Sequence, residues 1–359
     1  MHAFDLKFKQ GDSRICLAKD YAQLKGELQA LGLDQSVVVI ADVRVADLYR
    51  AQLEAAIFPI SSKWILIHDG EAGKTESGYL RLISELDGFN PSRKTTILAF
   101  GGGVTGDMAG FVAATMLRGL PWVQLPTSLL AMVDASVGGK VGVNTARGKN
   151  RIGAFYQPPL VYMATDTLQT LPPEELRSGI GEMVKHALIA DKTAFEVFQR
   201  HGRGLNDIEH PRFAELIGRS VAVKARIVQE DERESHTRAL LNFGHTVGHA
   251  IEAVAGFGQL RHGECVGLGI LAELYFTCQE FSLPLEILNK TAKLLNELGL
   301  PTTISGFNVA DLVAAAGYDK KIDHGIITLT QVTGIGEAQL LSYPLQNLPK
   351  LFSYFTETS

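Results

Sequence analysis

Thr95-Thr-Ile-Leu-Ala-Phe100 runs directly into Gly101-Gly-Gly-Val-Thr-Gly106-Asp107 and then into Met108-Ala-Gly-Phe-Val-Ala-Ala-Thr115. A short apolar, β-prone run followed by glycines and a helix-like stretch reads as a buried strand turning into a helix. Glycines at such a turn let backbone amides approach an anionic group, and the helix N-terminus adds favourable dipole charge. The spacing is not G-x-G-x-x-G, so a diphosphate cradle and a plain tight turn both stay open for this segment alone.

The same texture recurs on either side. Val37-Val-Val-Ile40, Trp64-Ile-Leu-Ile67 and Trp122-Val-Gln-Leu125 are short apolar runs bounded by turn residues, as buried parallel strands are. Their alternation with helical patterns predicts an α/β, Rossmann-like first half. From about Pro172 the pattern becomes mostly α-helical until Gly325-Ile-Ile-Thr-Leu-Thr-Gln-Val332, which reads as a hairpin through Thr333-Gly-Ile-Gly336. Thr170-Leu-Pro-Pro-Glu-Glu175 has an N-cap candidate, early prolines and acidic first-turn residues, the features of a helix start. The expected division is therefore residues 1–171 and 172–359.

A length of 359 residues gives roughly two domains at about 150 residues each. Hydrophobic residues at 46% and charged ones at 20% exclude a disordered or fibrous chain. Lys plus Arg number 34 against 39 acidic residues, which leaves no excess positive charge for a nucleic-acid backbone. Cys16, Cys265 and Cys278 are too few and too dispersed for a disulfide framework. The N-terminus carries charges where an export signal needs apolar residues, and the weakly charged stretch 101–133 is broken by Asp107, Arg118 and two prolines. A cytoplasmic protein that does not span a membrane is expected.

Three further segments carry chemistry. Asp69-Gly-Glu71-Ala-Gly-Lys74, and the run Pro126-Thr127-Ser128 through Asp134, Gly138-Gly-Lys140 and Asn144 to Lys149-Asn150, combine glycines with cations that could hold phosphate or carboxylate. Solvated loop lysines are the plain alternative. Glu182 and Lys185 stand i, i+3 on a predicted helix, and a surface ion pair is the default reading. In Asn242-Phe-Gly-His245-Thr-Val-Gly-His249-Ala-Ile-Glu252 the two histidines are i, i+4, a helical metal-site spacing, and His262 follows. Spacing alone pairs His245 with His249 as ligands; a core histidine is the alternative for any one of them.

Taken together, GGGVTGDMAGFVAATMLRG, LPTSLLAMVDASVGGKVGVN, RGKNRIGAFYQP, LRSGIGEMVKHA, KARIVQEDERESHTRALLNFGHTVGHAIEA and RHGECVG resemble the 3-dehydroquinate synthase family in order and spacing. The resemblance covers about Asp69 to Gly267; Tyr318-Asp319-Lys320-Lys321 and Gly334-Ile-Gly-Glu337 are similar too, residues 1–60 only weakly.

The resemblance implies an N-terminal Rossmann-like NAD domain and a helical C-terminal domain with the active site in the cleft between them; the need to hold one substrate conformer leads to the expectation that the domains close over it. It also implies bound NAD, one zinc or cobalt ion and a homodimer. The implied reaction converts 3-deoxy-D-arabino-heptulosonate 7-phosphate to 3-dehydroquinate and phosphate, a step toward aromatic amino acids. By position, Glu182, His245 and His262 match metal ligands and His249 a non-ligand active-site histidine, which replaces the spacing-based pairing. Asp42, Asp69, Gly70, Glu71, Lys74, Gly102, Gly103, Val104, Thr105, Gly106, Asp107, Thr127, Ser128, Asp134, Lys140, Lys149, Asn150, Thr167, Leu168, Gln169 and Thr170 match NAD-contacting positions. Lys140, Asp134, Asn150, Lys185, Lys224, Arg238, Asn242 and Lys320 match catalytic and substrate-pocket positions. Arg118 matches an arginine reaching the neighbouring subunit's substrate phosphate.

Departures are few. Arg44 stands where the family usually has asparagine near the adenosine, Ser128 replaces a frequent threonine, and the loop after Lys321 is short. The rival readings are another sugar phosphate cyclase and a metal-dependent polyol or glycerol-phosphate dehydrogenase. Arg238, Leu241, Asn242 and His249 keep the identities that the resemblance associates with a carboxylate substrate.

Overall fold

The computed structural model describes residues 2–9, 11–256, 259–304, 307–317, 322–323 and 325–357. The chain divides into two compact units, Met1–Leu171 and Pro172–Ser359.

The first unit is built on one twisted sheet. Its strands are β1 (His2–Leu6), β2 (Ser13–Ala18), β3 (Ser36–Asp42), β4 (Ser62–Ile67), β5 (Thr95–Gly101), β6 (Trp122–Pro126) and, after a separate hairpin of β7 (Lys140–Thr145) and β8 (Gly148–Phe155), β9 (Leu160–Ala164). The spatial order is β1-β2-β9-β6-β5-β3-β4, parallel throughout except for β1 against β2. The Val/Ile runs are buried on both faces: Val37, Val39, Leu98 and Phe100 join one core with Leu24, Leu28, Leu53 and Ile57 of two helices. Val38, Ile40, Ile97 and Ala99 join the other with Leu82, Leu86, Met108 and Val112. Strand periodicity of two produces this sorting, and helices on both faces make a continuous apolar run stable as a strand.

Strand β3 pairs outward with β4, after which the chain crosses back to place β5 on the other side of β3. This reversal is a topological switch point, and the crevice outside the carboxyl ends of β3 and β5 is where open α/β sheets take ligands. The helix expected from Met108 begins five residues earlier, spanning Gly103–Thr115. Gly101 thus ends β5, Gly102 caps the helix in an extended conformation, and Gly103 is its first residue. Strands β1, β2 and β9 and the β7–β8 hairpin lie outside the runs that the sequence picks out; in β7 and β8 glycines interrupt the apolar pattern.

The second unit is helical around the helix His262–Phe281, which is buried nearly all round and so forms its centre. Against it lie Pro173–Ala190, His245–Ala255 and Leu285–Glu297. Strands β10 (Ile322–Asp323), β11 (Ile326–Gly334) and β12 (Glu337–Pro344) form a small antiparallel sheet, the last two as the expected hairpin. Thr170 does not cap the helix at the unit boundary. That helix starts on Pro172 with no side-chain cap, while Thr170 Oγ1 lies 2.8 Å from the Tyr49 hydroxyl. No helix among the described residues is long and apolar enough to cross a membrane.

Candidate functional site

In the second unit, Glu182 lies mid-helix in Pro173–Ala190, whereas His245 and His262 are each the first residue of their helices. Two close backbone approaches bring them together. A Cβ on Gly181 would lie 2.5 Å from the Gly263 carbonyl oxygen, and one on Gly263 1.9 Å from that of Ser178. Only glycines let these two helices touch beside Glu182 and His262. Gly244, at φ +76°, turns the chain sharply into the His245 helix.

The ligand atoms of Glu182, His245 and His262 all lie within 4.8 Å of one another. His245 Nε2 is 3.5 Å and His262 Nε2 3.3 Å from Glu182 Oε1. Each ring has its other nitrogen against an oxygen: His245 Nδ1 is 3.1 Å from the Phe243 carbonyl, and His262 Nδ1 3.1 Å from Glu252 Oε1. An acceptor at Nδ1 keeps the proton there and frees the Nε2 lone pair for a cation. Glu182 is fully buried, with Oε2 paired to Lys185 Nζ and Oε1 facing the two imidazole Nε2 atoms. One carboxylate and two imidazole nitrogens this close together form a donor set that fits one divalent ion and leaves a position for a further ligand.

The electrostatics agree. Burial alone would push the Glu182 carboxyl up, but the Lys185 ammonium, with His245 and His262, holds it well below the usual range. Burial and Lys185 hold His245 well below an ordinary imidazole. Desolvation lowers the half-buried His262, yet hydrogen bonding to Glu182 and Glu252 pushes it up to about 10. A metal and that proton compete for the same histidine.

The Glu182–Lys185 pair is not the surface ion pair that is the default for its spacing: the side chains are 0% and 1% exposed. His186, beside this pair, is buried with Nδ1 2.7 Å from Ser220 Oγ. His249 is exposed, its ring 5.3 Å from that of His245. Among the described residues no converging ligand group contains both, so the pairing of His245 with His249 as ligands is corrected; a second group of His249, Glu252 and His262 overlaps the first. Lys224 and Arg238 are buried. Arg238 sits in a loop gathered by Asp231, whose oxygens accept from the amides of Ser235 (2.9 Å), His236 (2.6 Å) and Arg238 (3.1 Å). Asn242 Nδ2 donates to Glu234 Oε1 at 3.2 Å. Lys320 lies outside the described residues.

Sequence reasoning assigned no role to Glu252 or Asp231. Glu252 was legible in principle, seven residues after His245 and so on the same helical face. Asp231 was less so, since its partners are amides.

In the first unit the expected cofactor residues line the carboxyl ends of the parallel strands. Asp42 closes β3, Asp69 to Lys74 follow β4, Gly102 to Asp107 follow β5, Thr127 and Ser128 follow β6, and Thr167 to Thr170 follow β9. No side chain caps the helix Gly103–Thr115, and the first amides of a helix have no acceptor within it. They therefore suit a diphosphate at the switch point. Lys74 is 4% exposed, and its Nζ donates to Asp107 Oδ2 at 2.5 Å and to Asn150 Oδ1 at 2.6 Å. Asn144 Nδ2 donates to Glu71 Oε1 at 2.8 Å, and the Asn150 amide to Asn144 Oδ1 at 2.9 Å. Lys74 thus ties the glycine-turn helix to the β7–β8 hairpin. Asp134 lies in the π-helical turn Ala131–Ala135, which Ser128 Oγ enters by accepting from the Ala131 amide; Lys140 and Lys149 are exposed on the hairpin.

The fold is that of the sugar phosphate cyclases. 2-Epi-5-epi-valiolone synthase from Streptomyces hygroscopicus subsp. jinggangensis 5008, solved with NAD+ and Zn2+ bound, superposes with TM-score 0.86 at 26% identity over 100% of both chains. A 2-deoxy-scyllo-inosose synthase solved with carbaglucose-6-phosphate, NAD+ and Co2+ shares the fold, with TM-score 0.87 at 24% identity over 98% of this chain and 99% of that one. Residues 64–178 match the family 3-dehydroquinate synthase N-terminal, and 179–322 the family 3-dehydroquinate synthase C-terminal. 3-Dehydroquinate synthase of Caulobacter vibrioides is 42% identical over 316 residues, 86% of this chain and 85% of its own. That of Thermoanaerobacter pseudethanolicus is 35% identical over 356 residues, 98% of this chain and 99% of its own. The chain belongs to the 3-dehydroquinate synthase family, whose members are NAD- and divalent-metal-dependent lyases.

Proposed function

We propose that the chain converts 3-deoxy-D-arabino-heptulosonate 7-phosphate to 3-dehydroquinate and phosphate. The observation that carries this reading is the convergence of His245 and His262 on a fully buried Glu182 paired with Lys185, in a chain of this family. In this reading the trio holds the divalent ion and the residues at the strand ends of the first unit hold NAD. When bound, NAD takes and returns a hydride at a secondary alcohol whose hydroxyl the metal acidifies.

The chain's own residues do the rest by charge and position. Lys185, Arg238 and Lys224, with Lys320, hold the substrate's carboxylate and phosphate through charge-assisted bonds. Asn242 and His249 orient it. The C–H lost during phosphate elimination is adjacent to a carbonyl and therefore acidic, and the substrate's own phosphate takes that proton. Ring opening and aldol closure then require one held conformer more than a strong acid or base.

We further propose a homodimer in which Arg118 serves the partner's site. Leu117 and Arg118 are consecutive non-glycine residues with φ +50° and +65°, both exposed, a strained turn of the kind kept where a side chain must be presented. Three free cysteines, two of them buried, support a reducing, cytoplasmic setting.

The test is incubation of the purified protein with 3-deoxy-D-arabino-heptulosonate 7-phosphate, catalytic NAD+ and zinc or cobalt, following phosphate release and identifying the product by NMR. Many turnovers to 3-dehydroquinate without NADH accumulation are expected. Stoichiometric NADH, or phosphate release only from sedoheptulose 7-phosphate or glucose 6-phosphate, would overturn the reading.

A further inference from the structure

We infer that Arg44 determines which dinucleotide the first unit accepts, admitting a 2′-phosphorylated adenine dinucleotide beside the unphosphorylated one. The inference rests on the reading that the strand ends of this unit hold a dinucleotide.

Across the sheet the parallel strands run β4-β3-β5-β6-β9-β2. The glycine turn follows the third of these and Asp42 ends the second. In doubly wound dinucleotide sheets of spatial order 3-2-1-4-5-6, the glycine turn follows strand 1, and an acid after strand 2 binds the adenosine ribose 2′-hydroxyl. Strands β5 and β3 occupy those two slots, so Asp42 stands where the ribose acid stands.

Here the acid is not alone. Asp42 Oδ1 accepts from the Arg44 amide at 2.9 Å and from Arg44 Nε at 3.3 Å, and Oδ2 accepts from Nη2 at 3.2 Å. The Arg44 side chain is 81% exposed, whereas that of Asp42 is 12% exposed. A lone carboxylate in this slot repels a 2′-phosphate. A guanidinium laid on it cancels that repulsion and offers a planar set of N–H donors that match phosphate geometry.

The experiment titrates the full-length protein with NAD+ and, separately, with NADP+ by calorimetry, for the wild type and for Arg44→Asn and Arg44→Gln. Asp42 is left intact because it also caps the helix Val43–Ile57; Arg44 is exposed, so its replacement leaves the fold in place. Loss of the guanidinium is expected to weaken NADP+ by about tenfold or more while moving NAD+ by less than about threefold. An NADP+ to NAD+ affinity ratio equal in wild type and both variants overturns the assignment of Arg44 while leaving the dinucleotide site standing. Failure of the wild type to bind either nucleotide overturns the site itself and the inference with it.

Discussion

His262 lies between two carboxylates, its Nε2 3.3 Å from Glu182 Oε1 and its Nδ1 3.1 Å from Glu252 Oε1. The first contact belongs to the candidate ligand set and the second fixes the ring. Glu252→Gln is therefore expected to lower zinc or cobalt affinity by roughly 10- to 100-fold, the usual cost of losing an outer partner of a ligating histidine. Competition against a chelator of known affinity measures it, with circular dichroism to verify the fold; equal affinities would show that Glu252 does not act through the ring.

Lys185 carries the charge that lets Glu182 ionise in a buried site. Lys185→Met leaves that carboxylate without its partner and is expected to destabilise the metal-free protein by about 3–5 kcal/mol. Zinc should restore part of the loss by supplying a replacement cation. Denaturant midpoints with and without a chelator give both values; a deficit equal in the two conditions contradicts metal binding at Glu182.

Burial would raise the Asp231 carboxyl, but the amides of Ser235, His236 and Arg238 and the Ser235 hydroxyl hold it far below its ordinary value. A depressed folded-state pKa means that the stabilisation is complete above the unfolded value near pH 4 and fades as pH falls through the folded one. Asp231→Asn should thus be less stable than wild type at neutral pH, with a gap that narrows below about pH 4. Urea unfolding between about pH 2 and pH 7 checks the sign.

Gly181→Ala replaces a helix-interior glycine, normally a gain of about 1 kcal/mol. Here the new Cβ would lie 2.5 Å from the Gly263 carbonyl oxygen, so a net loss of about 1–3 kcal/mol is expected from overpacking. Metal affinity should fall with it, because the displaced helices carry Glu182 and His262. Thermal unfolding and metal titration of one sample test both effects.

If Arg118 acts across a dimer, Arg118→Ala and His262→Ala homodimers are each inactive. Co-expressed at equal levels, they should recover about a quarter of wild-type specific activity, because half the dimers are mixed and each mixed dimer has one intact site. No recovery would place Arg118 in its own subunit's chemistry or outside it.

Strands β3, β4, β5 and β6 were legible because Val37–Ile40, Trp64–Ile67, Thr95–Phe100 and Trp122–Leu125 are largely apolar and sharply bounded. The glycine turn was legible as a turn, but the helix start at Gly103 was not, since glycine has weak helix propensity and tertiary packing overrode it. The spacing of His245 and His249 was misleading for a physical reason. A helix brings i and i+4 side chains together whatever they do, but the candidate ligand group Glu182, His245 and His262 is drawn from three different helices.

Residue types and local periodicity by themselves determined the strand-and-helix alternation, the change to helices at Pro172 and the stock of acids, histidines and lysines available for chemistry. Only the tertiary structure decided that Glu182 and Lys185 are buried, that His262 is held by Glu252, and that Asp42 carries Arg44 beside the glycine turn. Those relationships depend on helices meeting at Gly181 and Gly263 and on the order of strands in the sheet. Local propensity acts over a few residues, whereas burial and ligand convergence arise only when distant segments pack.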